Sequence, residues 1–167
     1  MKDKNQVKSE IESALKGIGL HSEEATNLLL GTMAQESAFG KYRRQLGNGP
    51  ALGIYQMEPF TYQDCHDNFL RYKPDLLSKI LKVSGLAKFP APEELVENDI
   101  FAACMCRVKY LRAPGVIPTT LTGQASYWKE HYNTKLGKGT VEEYLKNWDK
   151  FCQWYLFVGV NNCVIYN

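Results

Sequence analysis

The sequence has neither a long apolar run nor a long block of basic residues. A transmembrane helix needs roughly 18 or more consecutive apolar residues, and no stretch of the chain approaches that length. The formal net charge is only +2, and the basic stretch at residues 41–44 is short enough to be a solvated turn. These absences predict a chain with no membrane span and no nucleic-acid partner.

Paired cysteine motifs are also missing. The number of cysteines is odd, and no two of them form a CxxC pair. No apolar core follows the first six residues, so the sequence carries no secretory signal. We therefore expect a protein that is made in a reducing cytoplasm with all of its thiols reduced. The cysteines are Cys65, Cys104, Cys106, Cys152 and Cys163.

Metal-ligand spacing is absent as well. The three histidines, His21, His66 and His131, are scattered, and the adjacent pair of Cys65 and His66 is a weak metal signal. The glycine-containing stretch 137–140 lacks the spacing of a phosphate-binding loop, and no predicted strand precedes it. We expect no metal ion, no nucleotide and no organic cofactor.

What the chain does contain is a helical pattern. Apolar residues recur at helical spacing through nearly the whole sequence, as Val7 and Ile11 do in a first helix. Ser22 is a suitable N-cap for a second helix that continues to Glu36. The stretch 40–53 is rich in glycine and asparagine, which predicts a loop or a short β-hairpin.

The same pattern continues through the middle of the chain. Pro59 opens one helix, and residues 75–83 predict another. Pro92 starts a long helix with an apolar face, which Pro114 ends. Residues 121–132 predict a further helix.

A final helix is predicted close to the C-terminus. It starts at a capping box beginning at Thr140, and its apolar side carries Trp148 and Cys152. The apolar tail after Gly159 has no clear pattern. Because the chain shows no linker and no repeat, we predict one mainly α-helical domain over residues 1–167.

Glu36 is the residue that most clearly indicates chemistry. Leu29, Met33 and Glu36 fall at positions i, i+4 and i+7, so the carboxyl group continues the apolar stripe of its helix. Burial and the negative end of the helix dipole both raise a carboxyl pKa. A carboxyl group kept protonated near neutral pH can protonate a glycosidic oxygen. The alternative is an exposed glutamate that only marks the helix end.

Three motifs follow one another along the chain. They are Glu36-Ser37, Gly53-Ile54-Tyr55-Gln56 with Pro59-Phe60-Thr61, and Tyr132-Asn133. Together they resemble the signature of the lytic transglycosylase and goose-type lysozyme family, in which a helix ends in Glu-Ser, a loop leads to Gly-Leu-Met-Gln and often Pro-x-Thr, and a Tyr-Asn motif precedes the final helix. The match spans residues 25–148, and residues 98–111 are similar to the long central helix of the family.

The resemblance implies a lysozyme-like helical domain with a small loop or β-hairpin lobe after the catalytic helix. It implies a muramidase, either a lytic transglycosylase or a lysozyme, that breaks the β-1,4 bond between N-acetylmuramic acid and N-acetylglucosamine. Its partner would be the glycan strands of peptidoglycan. Without a secretory signal, a phage-encoded member is expected, which meets the wall after lysis-linked release or within a virion, beside other phage virion or lysis proteins.

Catalytic roles follow from the resemblance by position. Glu36 would be the general acid and then the base, and Tyr132 would orient its carboxyl group. Because Tyr132 stands four residues after Trp128 on a helix, it could instead be part of the core.

Sugar-binding roles follow in the same way. Gln56 and the backbone around Tyr55 would bind N-acetyl groups, with Ser37 beside them, and Asn133 would hold the neighbouring loop. Tyr55 stands where methionine is common in the family, which suggests an added stacking surface. Gln56 could instead be an amide that caps its own loop.

The second carboxylate determines the type of reaction. An inverting hydrolase needs a base that activates water, whereas a transglycosylase uses the sugar's own 6-hydroxyl group. Glu58 is the leading candidate, because goose-type lysozymes carry an aspartate two residues after the glutamine. Asp64 and Asp67 are weaker candidates, and the sequence leaves the choice between the two reactions open.

Two departures from the family affect the architecture. Residues 62–97 form a longer connection than usual, which predicts a helical insertion beside the groove. Gln45 stands where many transglycosylases carry a hydroxyl group.

Other functions are compatible with parts of the pattern. A catalytically inactive lysozyme-fold virion or structural protein would bind cell wall without using Glu36. A purely structural helical domain would bind no glycan. A chitinase of similar fold would cleave chitin oligomers and leave the cell wall intact.

Overall fold

A computed structural model describes residues 3–159 of the chain, with side chains described as far as Tyr155. The described residues are mainly helical and contain no β-strand, which confirms the predicted mainly α class. The predictions about the tail after Gly159 and about Cys163 lie outside the described residues. The helices are Lys4–Gly17 (α1), Glu23–Ser37 (α2), Pro59–Asp67 (α3), Pro74–Val83 (α4), Glu94–Glu97 (α5), Asp99–Leu111 (α6), Leu121–Trp128 (α7) and Val141–Gly159 (α8).

Side-chain caps explain where several helices begin. The Ser22 hydroxyl oxygen accepts a hydrogen bond from the Ala25 amide at 3.0 Å, as the sequence predicted. At the start of α8, Thr140 and Glu143 each accept a hydrogen bond from the other's backbone amide, at 3.1 and 3.0 Å. Each such cap satisfies an otherwise unpaired amide and contributes about 1 kcal/mol.

The long helix predicted from Pro92 is in fact two helices. The chain breaks at Asn98, whose backbone is extended (φ −125°, ψ 96°) between α5 and α6. The Asn98 side chain accepts from the Phe101 amide at 3.0 Å and donates to the Ser84 carbonyl oxygen at 3.0 Å. The asparagine therefore caps a new helix, because its short amide competes with the helical backbone for hydrogen bonds.

The helix predicted over residues 121–132 also changes character before its end. It is α-helical to Trp128 and then forms a π-helical turn over Lys129–Asn133. Such turns insert one extra residue into the helix and often occur at functional sites.

Helix α2 lies at the centre of the core. Ten of its 15 residues are buried, and it packs on α1, α6, α7 and α8. A helix that is buried on nearly all sides is typical of the middle of a globular core. Its buried Thr32 hydroxyl is hydrogen-bonded to the Leu28 carbonyl oxygen and to the Tyr110 hydroxyl, each at 2.7 Å, so this polar group is satisfied.

The closest approach between α2 and α8 depends on Gly31. A Cβ atom at this position would lie 1.9 Å from the hydroxyl oxygen of Tyr144 and 2.4 Å from Cζ. The Tyr144 hydroxyl is buried and has no hydrogen-bond partner among the described residues. The absence of a side chain at Gly31 therefore lets the Tyr144 ring fit against α2.

Residues 62–97 are largely helical, and most of this segment packs against α6. It contains most of α3, the turn Leu70–Tyr72, α4 and α5, and α4 also contacts α1. Phe89, in the loop before α5, stacks on Tyr62 with ring centroids 5.0 Å apart and meets the edge of Phe101 at 6.0 Å. Whether the segment is an insertion relative to a family stays a prediction.

Residues 40–57 form a loop with two isolated antiparallel bridges, from Leu52 to Arg44 and from Leu52 to Met57. Arg43 holds this loop to the helices, because its guanidinium binds both carboxylate oxygens of Asp99 at 2.5 and 2.9 Å. The same guanidinium donates to the Val96 carbonyl oxygen at 2.9 Å. Of the two predicted forms, a loop or a hairpin, the described chain adopts the loop.

Two further predictions concern thiols and membranes. Cys65, Cys104, Cys106 and Cys152 are free and buried. Within the described part of the chain, no helix combines the length and the apolar character that a membrane span requires.

We expect Gly31→Ala to lower the free energy of unfolding by about 1–2 kcal/mol, because overpacking outweighs the better helix propensity of alanine. Tyr144→Phe alone should be neutral or stabilising, since it removes an unpaired buried hydroxyl group. In the Tyr144→Phe background, Gly31→Ala should lower the free energy of unfolding by a smaller amount. Denaturant unfolding of the four proteins measures the coupling, and an equal cost in both backgrounds would contradict this contact.

Candidate functional site

An open cleft with a volume of about 740 Å³ lies between the end of α2, the loop 40–57 and the turn after α7. Among its lining residues are five of the seven site residues predicted from the sequence. These five are Glu36, Gln56, Glu58, Tyr132 and Asn133. The folded chain therefore brings together motifs that are nearly a hundred positions apart in the sequence.

Glu36 stands on the last turn of α2 and is half-buried in the cleft. Desolvation by burial raises the pKa of its carboxyl group from 4.5 to about 7. A hydrogen bond from Trp128 Nε1 to Glu36 Oε1, at 2.9 Å, and the charge of Lys109 both act in the opposite direction. The carboxyl group therefore holds its proton up to neutral pH, and it is not the fully exposed glutamate of the alternative interpretation.

Trp128 contacts Glu36, although the sequence predicted no role in the site for it. Its indole is fully buried, with the Tyr144 ring 5.3 Å away. On another side, a Cβ atom at Gly139 would lie only 2.7 Å from Trp128 Cη2. The indole N–H is thus fixed in place to hold the Glu36 carboxyl group. The sequence signal was weak, because an indole that only fills the core has the same helical spacing.

The contact with the Glu36 carboxyl group that was predicted for Tyr132 is made by Trp128 instead. Tyr132 is buried, and its hydroxyl donates to the Tyr55 carbonyl oxygen at 2.8 Å, so it does not orient the Glu36 carboxyl group. The bond joins the π-helical turn to the loop that carries Gln56. Tyr132 therefore lines the cleft and holds its two walls together.

Lys109 is a second cleft residue that the sequence analysis missed. It extends from α6, and its Nζ donates to the Tyr132 carbonyl oxygen at 2.7 Å. The ammonium also lies 3.7 Å from the centroid of the Tyr132 ring. Burial lowers the pKa of the ammonium group. The available signal was a lysine placed between the apolar residues Val108 and Tyr110 of a helix.

Ser37 does not contact the cleft, in contrast to the sugar-binding role predicted for it. Its side chain is fully buried, and its hydroxyl is hydrogen-bonded to the Ile54 carbonyl oxygen at 2.6 Å. The same oxygen accepts from the Gly40 amide at 2.9 Å. Ser37 therefore ties the end of α2 to the loop, because a buried hydroxyl next to free backbone groups satisfies them.

Tyr55 is buried as well, with 1% of its surface exposed. The prediction that the Tyr55 ring adds a stacking surface to the groove is therefore wrong. Its ring fills the core, and its carbonyl oxygen is the acceptor for the Tyr132 hydroxyl.

Gln56 combines both roles that the sequence left open. It lines the cleft, and its Nε2 also donates to the Gly53 carbonyl oxygen at 2.8 Å, which caps the turn. Its φ of 46° is left-handed. Gly53 cannot be replaced without strain, because its φ is 75° and a Cβ atom would lie 2.2 Å from the Leu95 carbonyl oxygen.

Backbone strain is concentrated around the cleft. Ala38 and Phe39, directly after Glu36-Ser37, have φ values of 50° and 60°, and Thr134, after the π-helical turn, has 68°. A left-handed conformation costs a non-glycine residue about 1–3 kcal/mol, and such residues cluster at functional sites. The helix that carries Glu36 thus ends abruptly, and the chain turns at once into the wall of the cleft.

Glu58 is the only candidate second carboxylate, of the three named from the sequence, that lines the cleft. It is exposed, at the residue that precedes α3. Asp64 instead pairs with Arg112 at 2.7 Å, and Asp67 pairs with His66 at 2.8 Å.

Asn133 lines the cleft, and Lys129 links it to the loop that follows the π-helical turn. Its Oδ1 accepts a hydrogen bond from Lys129 Nζ at 2.7 Å, and the same ammonium donates to the Gly137 carbonyl oxygen at 2.8 Å. Among the described side chains, no cluster of three histidine, cysteine, aspartate or glutamate residues could hold a metal ion.

We expect Glu36→Gln to stabilise the protein at alkaline pH. The folded-state pKa, about 7, lies above the ordinary value of 4.5, so the free energy of unfolding falls as pH rises between these values. Glutamine still accepts the bond from Trp128 and does not ionise. The variant should be more stable than wild type by up to about 3 kcal/mol at pH 8, with no difference near pH 4. Denaturant unfolding across pH measures this.

The exposed Glu58 supplies a matched control for that measurement. Glu58→Gln changes a carboxylate in the same cleft, and a surface substitution changes stability by about 0.5 kcal/mol or less. A Glu36→Gln advantage that stayed constant from pH 4 to pH 8 would contradict the raised pKa of Glu36.

Likeness to known proteins does not identify the chain. No protein-family model, no curated protein and no solved structure matches it. Its function is therefore inferred from the cleft, where Glu36, a carboxyl group of raised pKa held by the buried Trp128 indole, shares one open space with the exposed carboxylate of Glu58.

Proposed function

We propose that this protein is a muramidase that cleaves the β-1,4 bond between N-acetylmuramic acid and N-acetylglucosamine in peptidoglycan, with a lysozyme-like fold. The observation that carries the proposal is the Glu36 carboxyl group, whose pKa is raised to about 7 in an open cleft. A glycosidase needs such a group to protonate the leaving oxygen. The order of the Glu-Ser, Gly-Ile-Tyr-Gln and Tyr-Asn motifs supports the same reaction.

In the first step, Glu36 donates its proton to the glycosidic oxygen as the bond to the anomeric carbon breaks. The carboxylate that remains still accepts the hydrogen bond from Trp128 Nε1. A hydrogen bond to an ionised acceptor is stronger than one to a neutral acceptor, so the indole favours proton transfer. The anomeric carbon is then attacked by an oxygen nucleophile, whose proton passes to a carboxylate base.

Two second steps are compatible with the cleft. In a lysozyme, Glu58 would activate a water molecule that attacks the anomeric carbon. In a lytic transglycosylase, Glu36 would accept the proton of the 6-hydroxyl of N-acetylmuramic acid, which attacks and forms a 1,6-anhydro ring. Glu58 is exposed and reaches the cleft, which supports the first route without excluding the second.

The rest of the cleft wall suits a glycan. Leu46 and Leu136 are 68% and 98% exposed, and both line the cleft, where they can cover the apolar faces of sugar rings. Uncharged polar groups pair with sugar hydroxyl and N-acetyl groups. These polar residues are Gln35, Tyr42, Gln45, Gln56, Thr61, Asn133 and Thr134.

A phage origin completes the proposal. As a phage product, the protein would reach its substrate after lysis-linked release or within a virion. Other phage virion or lysis proteins would then be its partners.

We expect wild-type protein to release soluble fragments from purified peptidoglycan and Glu36→Gln to release them about 10²- to 10⁴-fold more slowly, because the general acid is lost. Mass spectrometry of the fragment ends decides the route. Reducing ends, together with a similar loss in Glu58→Gln, indicate hydrolysis assisted by Glu58. Anhydro ends with an active Glu58→Gln variant indicate a transglycosylase.

Failure of this prediction has distinct forms. Release by Glu36→Gln at the wild-type rate would contradict the role of Glu36. If the folded wild type releases no fragments, and wild type and Glu36→Gln sediment equally with cell wall, the protein is an inactive wall-binding protein. Turnover of chitin oligomers alone would identify a chitinase.

We expect Leu136→Asn to raise KM by about three- to ten-fold with little change in kcat, because roughly 1 kcal/mol of apolar contact with the glycan is lost. Val116→Asn is the matched control, since Val116 is 88% exposed and lines a different cavity. Steady-state kinetics on soluble glycan strands measure both variants. Equal changes in the two variants would show that Leu136 does not contact the substrate.

A further inference from the structure

Lys109 is a cation in the cleft that the proposed reaction has not used. It stands on α6, whose neighbouring residues Val108 and Tyr110 are buried in the core. Its own side chain is half-buried and lines the cleft together with Glu36 and Glu58. A lysine loses favourable hydration and side-chain freedom when it is held in this way, so its position calls for a physical explanation.

Two contacts fix the ammonium group in place. Its Nζ donates to the Tyr132 carbonyl oxygen at 2.7 Å, and it lies 3.7 Å from the centroid of the Tyr132 ring. Both partners belong to the π-helical turn Lys129–Asn133, which follows directly from the helix that carries Trp128. The turn thus positions the charge of Lys109 and the indole of Trp128 from one rigid segment.

The ionisable groups that interact with Lys109 come from several elements. Glu36 lies on α2, Glu58 lies before α3, Cys65 lies on α3 and Cys106 lies on α6 itself. Burial raises the pKa of both thiols, so they are neutral near pH 7. Tyr132 below the ammonium is neutral for the same reason. Only the two glutamates can therefore carry negative charge toward Lys109 during the reaction.

We propose that Lys109 is a positioning residue for the acid step. Its tethered ammonium group stabilises the Glu36 carboxylate that remains after the proton has passed to the glycosidic oxygen. The inference rests on the proposed function, but its electrostatic part can be tested without any substrate.

Burial and the neighbouring polar groups act on the Glu36 carboxyl group in opposite directions. Burial keeps the carboxyl group protonated and also makes the resulting anion unfavourable. An acid weakened by burial alone transfers its proton slowly. The Trp128 hydrogen bond and the Lys109 charge offset that penalty from two sides, and both act without reorganisation because they are already fixed.

The indole of Trp128 supplies a direct probe, since it donates to the carboxyl group in question. We would follow the Trp128 indole N–H resonance by ¹⁵N NMR from pH 5 to pH 9 in the whole protein. In wild type it should report one titration with a midpoint near the Glu36 pKa of about 7. Glu36→Gln should abolish that titration, which assigns it.

Two variants of Lys109 then separate the effect of its charge from the effect of its side-chain size. In Lys109→Met the midpoint should rise by about half a pH unit, because an opposite charge near the carboxylate is lost. In Lys109→Arg, which keeps the charge, the midpoint should stay close to wild type. If the methionine variant does not fold, Lys109→Gln provides the same neutral comparison.

A folded neutral variant with an unchanged midpoint would overturn the proposal, and so would equal shifts in the neutral variant and Lys109→Arg. On peptidoglycan, the alkaline limb of the pH–rate profile should move upward with the midpoint in Lys109→Met, while kcat falls by up to about three-fold, the rate equivalent of half a pKa unit. An inactive wild type would refute the muramidase function, and the indole titration would still decide the coupling of Lys109 to Glu36.

Discussion

The burial of one carboxyl group at the end of a core helix constrains the rest of the structure. Glu36 follows directly from the buried stretch of α2, and desolvation raises its pKa to about 7. A carboxyl group that is withdrawn from water requires a hydrogen-bond donor from the protein, and the Trp128 indole is that donor. The indole is held by the Tyr144 ring of α8 and by the close approach of Gly139, which precedes α8.

The cleft is held together by side chains that bind backbone carbonyl oxygens. Ser37 binds Ile54, Tyr132 binds Tyr55, and Lys109 binds the carbonyl oxygen of Tyr132. These bonds join the end of α2, the loop 40–57, the π-helical turn and α6. Each satisfies a backbone group that an irregular segment leaves unpaired, so the loop can be ordered without strands. The left-handed residues around the cleft are compatible with this arrangement, because many contacts fix the backbone there.

The difference between the predicted and the observed site has a common physical cause. The partial burial of Glu36 was predictable because its carboxyl group falls on the apolar stripe of its helix. Ser37 and Tyr55 lie within the same motifs, but the fold turns them inward, and their neighbours in sequence do not reveal which side faces the cleft. Trp128 and Lys109 were missed for the opposite reason, since an indole or a lysine on a helix is usually explained by core packing or solvent.

The sequence by itself determined the mainly α class, the positions of most helices, the caps at Ser22 and Thr140, and the partly buried position of Glu36 on the apolar side of its helix. These features depend on local periodicity and on hydrogen bonds between residues a few positions apart. Only the tertiary structure decided that Asn98 divides the long helix, that Trp128 holds the Glu36 carboxyl group, and that Lys109 lines the same cleft from α6. Those contacts join residues as many as 92 positions apart, and their geometry depends on how the helices pack, which no local pattern encodes.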